Sequence, residues 1–326
     1  MIYYKILQKK TMNFAIANSN KIIIIIFLHL YNFSQLDEWA KNINYCYDSN
    51  KHNDIHLYIN IPIGDNLNEV NCSPNEELKN TCKLFDYQEC LNDQNIHKVR
   101  KIISLCVQKF RQMPIFMVSK NKGVDIGGFF QFMNIIKKEN IKFDFLLKAH
   151  TKSEQIWREN LAKLFRKTFI KNEIEKLDLI GTMIFTYPGY KYEKETNEFH
   201  LKNICNTYKI KFLDTFRFIP GTIFMCSYKL IMELSKINLE EAYDNLNDFY
   251  SIDINWVNIM RNDDIFQNNV IKNKIDADSN KYTNLGNNFA LMKLKKTGIR
   301  DGMKEHAWER IFGLIAENMG GNIKRF

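Results

Sequence analysis

Proline and glycine are scarce in this chain, with 5 and 13 among 326 residues, which excludes collagen-like and Pro/Gly-rich low-complexity architectures. No long hydrophobic run occurs. The only dense apolar stretch, Ile22 to Leu30, is far shorter than the roughly 18–20 residues a membrane span needs. Lys9 and Lys10 precede it, yet it ends in His29-Leu30-Tyr31 without a small-residue cleavage site, so it reads as a buried strand rather than a signal sequence. The 7 cysteines include no C-x-x-C pair and are odd in number, which fits reduced thiols in a cytoplasmic protein better than a disulfide framework. No histidine pattern completes a zinc site around Cys72, Cys82 and Cys90. Zinc-finger, RNP-like and helix-turn-helix signatures are also missing, so nucleic acid is not an expected partner.

A hydrophobic fraction of 45%, with 13% aromatics, is enough for a real core and argues against disorder. The formal charge is +9, and it is concentrated. From Lys137 to Asn172 there are 10 Lys/Arg against 4 Asp/Glu, which is +6. Such a surface suits phosphate-bearing ligands and leaves peripheral membrane contact open. A solvated helix face rich in lysine is the structural alternative.

Strands and helices alternate along the chain. Expected strands are Ile22–Leu30, Ile55–Ile59, Ile115–Val118, Phe143–Leu147, Leu177–Phe185 and Phe218–Met225. The second is expected to stop at Pro62 and Gly64. Helices are expected over Asp37–Tyr45, over Val99–Phe110, around Phe129, Phe132, Met133 and Ile136, through Trp157, Leu161, Leu164, Phe165 and Phe169, and over Tyr228–Leu234. This alternation predicts an α/β fold, a Rossmann-type mainly parallel sheet flanked by helices. Residues 63–96 read as an irregular insertion in a single domain spanning 21–326, with 1–20 as an N-terminal extension.

Two strand ends hold the informative residues. Asn121-Lys122-Gly123-Val124-Asp125-Ile126-Gly127-Gly128 follows the third strand and enters a helix. Gly123 permits an unusual backbone angle, and Asp125 either caps the helix or holds a ribose or sugar hydroxyl. The fourth strand ends in Lys148-Ala149-His150-Thr151-Lys152. In open α/β sheets ligands bind outside the carboxyl ends of strands. There His150 and Lys152 would project to one side, and Thr151-x-x-Glu154 fits a capping box, so imidazole, ammonium and helix N–H groups could together hold a diphosphate.

The order of N-K-G-x-D-I-G, a helix, F-D-F-L-L-K-A-H-T-K, then W-R resembles the rhamnan synthesis F family, whose members carry an N-x-G-R-D loop and an H-T-K motif. Phe27-Leu28-His29-Leu30-Tyr31 is similar to the family's opening strand, and Phe218 to Phe224, with Gly221-Thr222, looks like its G-T-x-F segment. His306 to Phe312 looks like its terminal acidic-Arg motif. The resemblance covers about residues 20–315, and this chain departs from it in having Val124 where the family has Arg.

The resemblance implies a GT-A-like glycosyltransferase of polysaccharide assembly, moving a rhamnose-like sugar from a nucleotide-sugar to a glycan or lipid-linked glycan. It implies donor contacts at His29, Tyr31, Asn121, Lys122, Gly123, Asp125, His150, Lys152 and Gly221; at Val124 a phosphate contact is either missing or supplied by Lys122. GT-A enzymes normally place Asp-x-Asp, a metal-binding pair, where this chain has His150-Thr151-Lys152. A protonated lysine does not ligate a hard cation, so a divalent metal is allowed but no metal or other cofactor is expected. Cationic side chains would neutralise the diphosphate instead. The acceptor hydroxyl needs a base; Glu309 is preferred, with Asp301, Glu305 and Asp253 as alternatives, and an ion pair of Glu309 with Arg310 is the structural alternative. Trp157 either stacks on a sugar or packs in the core, and its helical spacing with Leu161 favours the core. The competing function is a non-catalytic carbohydrate- or nucleotide-sugar-binding relative.

Overall fold

The computed structural model describes residues 21–64, 66–67, 83–86, 89–151, 154–189, 193–246 and 304–326. The expected N-terminal extension, most of the expected insertion, and Lys152, Asp253 and Asp301 lie outside the described residues.

The run Ile22–Leu30 is the heart of the sheet. Strand β1, Ile23–His29, pairs in parallel with β2, Asp54–Ile63, and on its other side with β5, Phe145–His150. Being covered on both faces, it needs no polar alternation, hence four consecutive isoleucines. Ile25 and Phe27 point to one layer, where Phe27 stacks on Phe132 at 4.5 Å between centroids. Ile24, Ile26 and Leu28 point to the other, beside Trp39 and Ile43. Truncating a fully buried aromatic such as Trp39 costs about 3–5 kcal/mol.

Helices α1 (Leu36–Ser49) and α2 (Ile96–Lys109) bury their apolar stripes in the second layer. The first layer holds α3 (Val124–Lys138), α7 (Tyr228–Leu234), α8 (Leu239–Asp244) and α9 (Lys304–Asn318). Side chains of α6 (Glu193–Tyr208) join that layer at Leu201, Ile204 and Cys205. Two short helices, α4 (Gln155–Ala162) and α5 (Lys171–Ile174), follow β5. The remaining strands are β3 (Leu84–Asp86), β4 (Ile115–Lys120), β6 (Leu179–Gly181), β7 (Phe185–Tyr187), β8 (Phe216–Phe218), β9 (Phe224–Ser227) and β10 (Ile323–Arg325). The main sheet runs β10-β6-β9-β5-β1-β2-β4-β3, and β9 lies antiparallel to both neighbours. The expected α/β class with a mainly parallel sheet and flanking helices is thus observed. Among the described residues no helix is long and apolar enough to cross a membrane.

Five expectations are corrected. Pro62 does not stop β2, which continues to Ile63. Leu30 N–H donates to Asn60 O and Asn121 N–H to Ile63 O, so alternate residues face opposite neighbours. Residue 62 faces the β1 side, where β1 has already ended opposite Asn60, and the missing N–H of Pro62 leaves no ladder bond unmade. Part of the expected insertion, Leu84–Asp86, is a parallel edge strand on β4.

The runs Leu177–Phe185 and Phe218–Met225 are not single strands. After Gly181, packed against Ile219, the chain leaves the main sheet, and Phe185–Tyr187 pairs with Phe216–Phe218 in a separate sheet. The second run is broken by a turn at Pro220–Thr222, with Gly221 at φ 80°. Pro-Gly is a turn signal legible in the sequence; which sheet an apolar run joins is not. The helix expected through Phe169 ends at Ala162 and continues as a 3-10 turn to Arg166.

Candidate functional site

The sheet reverses its strand order between β1 and β5. The chain proceeds from β1 through α1 to β2 and then β4 on one side, and β5 lies on the other. Adjacent loops diverge at such a point and leave a crevice at the carboxyl ends. His29 and His150 are register partners there, each the last residue of its strand.

Lys148, fully buried on β5, donates to Asp125 Oδ2 and, at 3.0 Å, to the carbonyl of Thr222. Its ammonium lies over the rings of Phe129 and Phe224 at 5.4 and 5.8 Å. Thr222 Oγ1 donates to Asp125 Oδ2 at 2.7 Å and lies 3.1 Å from His150 Nε2. His150 Nδ1 is 3.9 Å from Asp125 Oδ1. Burial by itself raises the Asp125 carboxyl; the charges of His150 and Lys148, and hydrogen bonds from Lys148 and Thr222, outweigh it and hold the group well below the usual carboxylate range. A buried pair is sustained only when such further bonds satisfy it.

Local chain geometry brings Asp125 here. Gly123 is left-handed at φ 65° and precedes α3. Asp125 lies in the first helical turn, where an acid is favoured by the helix dipole, but the N-cap position is Gly123 and the Asp125 carboxylate accepts from Lys148 and Thr222. This corrects the capping reading.

His29 adjoins this cluster. Its Nδ1 is 2.9 Å from Asn60 Nδ2, which also reaches Ser119 Oγ at 3.1 Å. Burial pushes the imidazole down to about 3, only partly offset by Asp125, with His150 and Lys148 adding to the depression. His29 is therefore neutral at physiological pH. Helix α3 crosses it so closely that a Cβ on Gly128 would lie 2.4 Å from His29 Nδ1.

Gly221 joins the two sides of the crevice. Its carbonyl lies 2.8 Å from His150 Nε2, and its N–H donates to Glu309 Oε1 at 2.7 Å. Glu309 is half-buried and makes no ion pair with Arg310, whose Nη1 donates to His306 O at 2.8 Å and whose guanidinium covers the Phe218 ring at 4.8 Å. Glu305 is buried. Trp157 is half-buried against Gly221.

The other expected residues are distributed around this core. Asn121 sits beside Gly64 and Asn66, and Tyr31 is exposed. Thr151 does not cap a helix. Its Oγ1 accepts from Tyr31 N at 3.1 Å and Asn32 N at 3.0 Å, holding the β1–α1 loop, and α4 begins only at Gln155. No helix N-terminus therefore stands at His150-Thr151. Lys122 Nζ donates to Asp244 O at 2.8 Å, at the end of α8. Sequence reasoning quoted Lys148 and Thr222 only within their motifs, gave neither a contact, and missed Asn60. A lysine inside the apolar run Phe-Leu-Leu-Lys-Ala was the available signal, because a charge is rarely buried without a partner.

The donor set does not fit a hard divalent cation. The Asp125 carboxylate is already bound to an ammonium, the neighbouring groups are imidazoles, and among the described residues no group of three or more His, Cys, Asp or Glu could hold a metal ion. No family model matches the chain, and no curated protein matches it.

Proposed function

We propose that the chain is a GT-A-like glycosyltransferase, of the rhamnan synthesis F kind, moving a rhamnose-like sugar from a nucleotide-sugar to a polysaccharide or glycan acceptor. One observation carries the reading. His29 and His150 face each other where the strand order reverses, and one residue, Gly221, ties His150 to Glu309 through its carbonyl and its N–H. A donor-side group and an acceptor-side carboxylate are thereby held in one fixed relation, as positioning of two reactants requires.

In this mechanism Glu309 takes the proton of the acceptor hydroxyl. The hydroxyl oxygen attacks the anomeric carbon, the bond to the diphosphate oxygen breaks, and the nucleoside diphosphate leaves with the electron pair. His150 and Lys152 stabilise that charge. Lys148 holds Asp125, Thr222 and so Gly221 in place; its ammonium is spent on Asp125 and a carbonyl. Full pairing of Asp125 also favours the second reading, a non-catalytic nucleotide-sugar-binding relative.

A nucleotide-sugar panel scored by thermal shift and nucleoside diphosphate release separates the two, since only the transferase turns a donor over. Binding is expected to survive chelation; abolition by chelator with rescue by Mn2+ would contradict the cationic site. Glu309→Gln should keep donor affinity while transfer falls roughly 10²–10⁴-fold. A Glu309→Gln protein that melts normally and transfers at the parental rate would remove Glu309 as the base.

A further inference from the structure

The acceptor-side surface of Gly221 carries features that the core cluster does not use. Trp157 lies on the glycine so closely that a Cβ there would stand 2.7 Å from the indole Nε1. The indole meets Phe185 edge-on, with centroids 6.4 Å apart at 66°. Phe185 in turn packs on Phe218 at 6.1 Å. Yet Phe185 is 43% exposed, and Ile156, beside Trp157, is 74% exposed.

Two polar groups meet at Gly221, the Trp157 Nε1–H and the Glu309 carboxylate. Glu309 uses Oε1 on the Gly221 N–H, and its other oxygen has no hydrogen bond or ion pair among the described residues. The Trp157 Nε1–H likewise has none, and it is not among the buried orphaned groups, unlike Trp39 Nε1. One donor and one carboxylate acceptor therefore meet at one glycine, with the Phe185 ring beside the indole.

We infer that Trp157, Phe185 and Glu309 form a shelf for a neutral pyranose unit of the acceptor; this rests on the transferase reading for its role, but not for its chemistry. A pyranose presents an apolar C–H face together with hydroxyls that both donate and accept. The C–H face lies on Phe185 and the indole edge, as aromatic side chains with a polar handle favour at wet interfaces. One hydroxyl oxygen accepts from Trp157 Nε1–H, and a hydroxyl proton is donated to Glu309. A phosphate would be repelled by the same carboxylate, and a purely apolar partner would leave both polar groups unmatched. Trp157, read from its helical spacing as a core residue, thus has a second task.

The test uses the full chain labelled with 15N. Its 4 tryptophans give separate indole N–H resonances, and Trp157→Phe identifies the one from Trp157. Titration with methyl α-L-rhamnopyranoside, or with methyl α-D-glucopyranoside, should shift that resonance saturably, and Phe185→Ala should weaken the affinity about fivefold or more. Cyclohexanol should leave it unmoved. Phe185→Leu keeps apolar volume and replaces the alanine variant if that variant melts early.

A Trp157 resonance that ignores both glycosides, or follows cyclohexanol equally well, overturns the shelf. In turnover, Phe185→Ala should raise acceptor KM about fivefold or more while kcat changes less. Transfer with an unmoved acceptor KM removes the shelf and leaves the transferase. A saturable glycoside shift in a protein that turns over no nucleotide-sugar removes the transferase and leaves the shelf.

Discussion

At Gly123-Val124 and again at Gly221-Thr222, a left-handed glycine precedes a β-branched residue that is also left-handed: φ 65° and 53° in the first corner, 80° and 53° in the second. Such residues rarely adopt this region, at a cost of order 1–3 kcal/mol each. The corners differ in what offsets the strain. Thr222 donates to Asp125 through Oγ1 and accepts from Lys148 through its carbonyl. Val124 has no polar side-chain group to contribute; its conformation starts α3, whose first ladder bond runs from Gly127 N–H to Gly123 O. Strain at Thr222 is thus held by the charged cluster itself, and strain at Val124 only by the packing of a helix start. The second corner should be the rigid one, and it carries Gly221, the residue shared by His150 and Glu309.

The comparison can be broken most forcefully at Lys148. Lys148→Met leaves Asp125 buried without its ammonium and should destabilise the fold by about 3–5 kcal/mol, measured by urea denaturation. Adding Asp125→Leu should recover part of the loss. Full stability in the single variant would mean that the ion pair does not hold the corner. Next in size, Thr222→Val removes the hydroxyl bond to Asp125 and should cost about 1–3 kcal/mol in the same assay. No change there would make the two corners equivalent.

Protonation offers a smaller and more graded test. Folded His29 stays neutral down to about 3, whereas the unfolded imidazole takes a proton below 6.5. Between those values the unfolded state binds more protons, so stability should fall with falling pH, by up to about 1.4 kcal/mol per unit. Burial likewise lowers His56, adding to the slope in the same sense. Asp125 is depressed, so its contribution is present above the unfolded carboxyl value of 3.8 and is lost only below it. Chemical denaturation between pH 6 and pH 4 should therefore show a shallower slope in His29→Asn; an unaltered slope would assign the acid sensitivity elsewhere. The smallest effect belongs to the first corner. Val124→Gly should raise stability by up to about 1 kcal/mol, and a clear loss would show that the valine side chain contributes packing that outweighs its strain.

Element identity was largely legible along the chain. The β-branched run of β1 and the periodic stripes of α1 to α4 announce themselves, and α7 spans Tyr228–Leu234 as its pattern predicts. Both loops singled out from their motifs converge, since Asp125 and His150 lie within 3.9 Å. The capping box at Thr151 misled because a hydroxyl followed three residues later by Glu is only a local pattern. The loop between β1 and α1 offered that hydroxyl two backbone donors from 119 and 120 residues away.

What the amino-acid sequence determined by itself was the kind of each segment, through hydrophobic period, and the presence of polar residues at two strand ends. Periodicity is a short-range property, set by the helix and strand repeats. Only the tertiary structure decided that Leu177–Phe185 would divide between two sheets, that Lys148 would be consumed by Asp125, and that Gly221 would join His150 to Glu309. These outcomes depend on which strand, charge or backbone group finds which partner, the last two across separations of 23 to 88 residues. That choice follows from desolvation and packing in the assembled core, where an unpaired charge is too costly to leave in place.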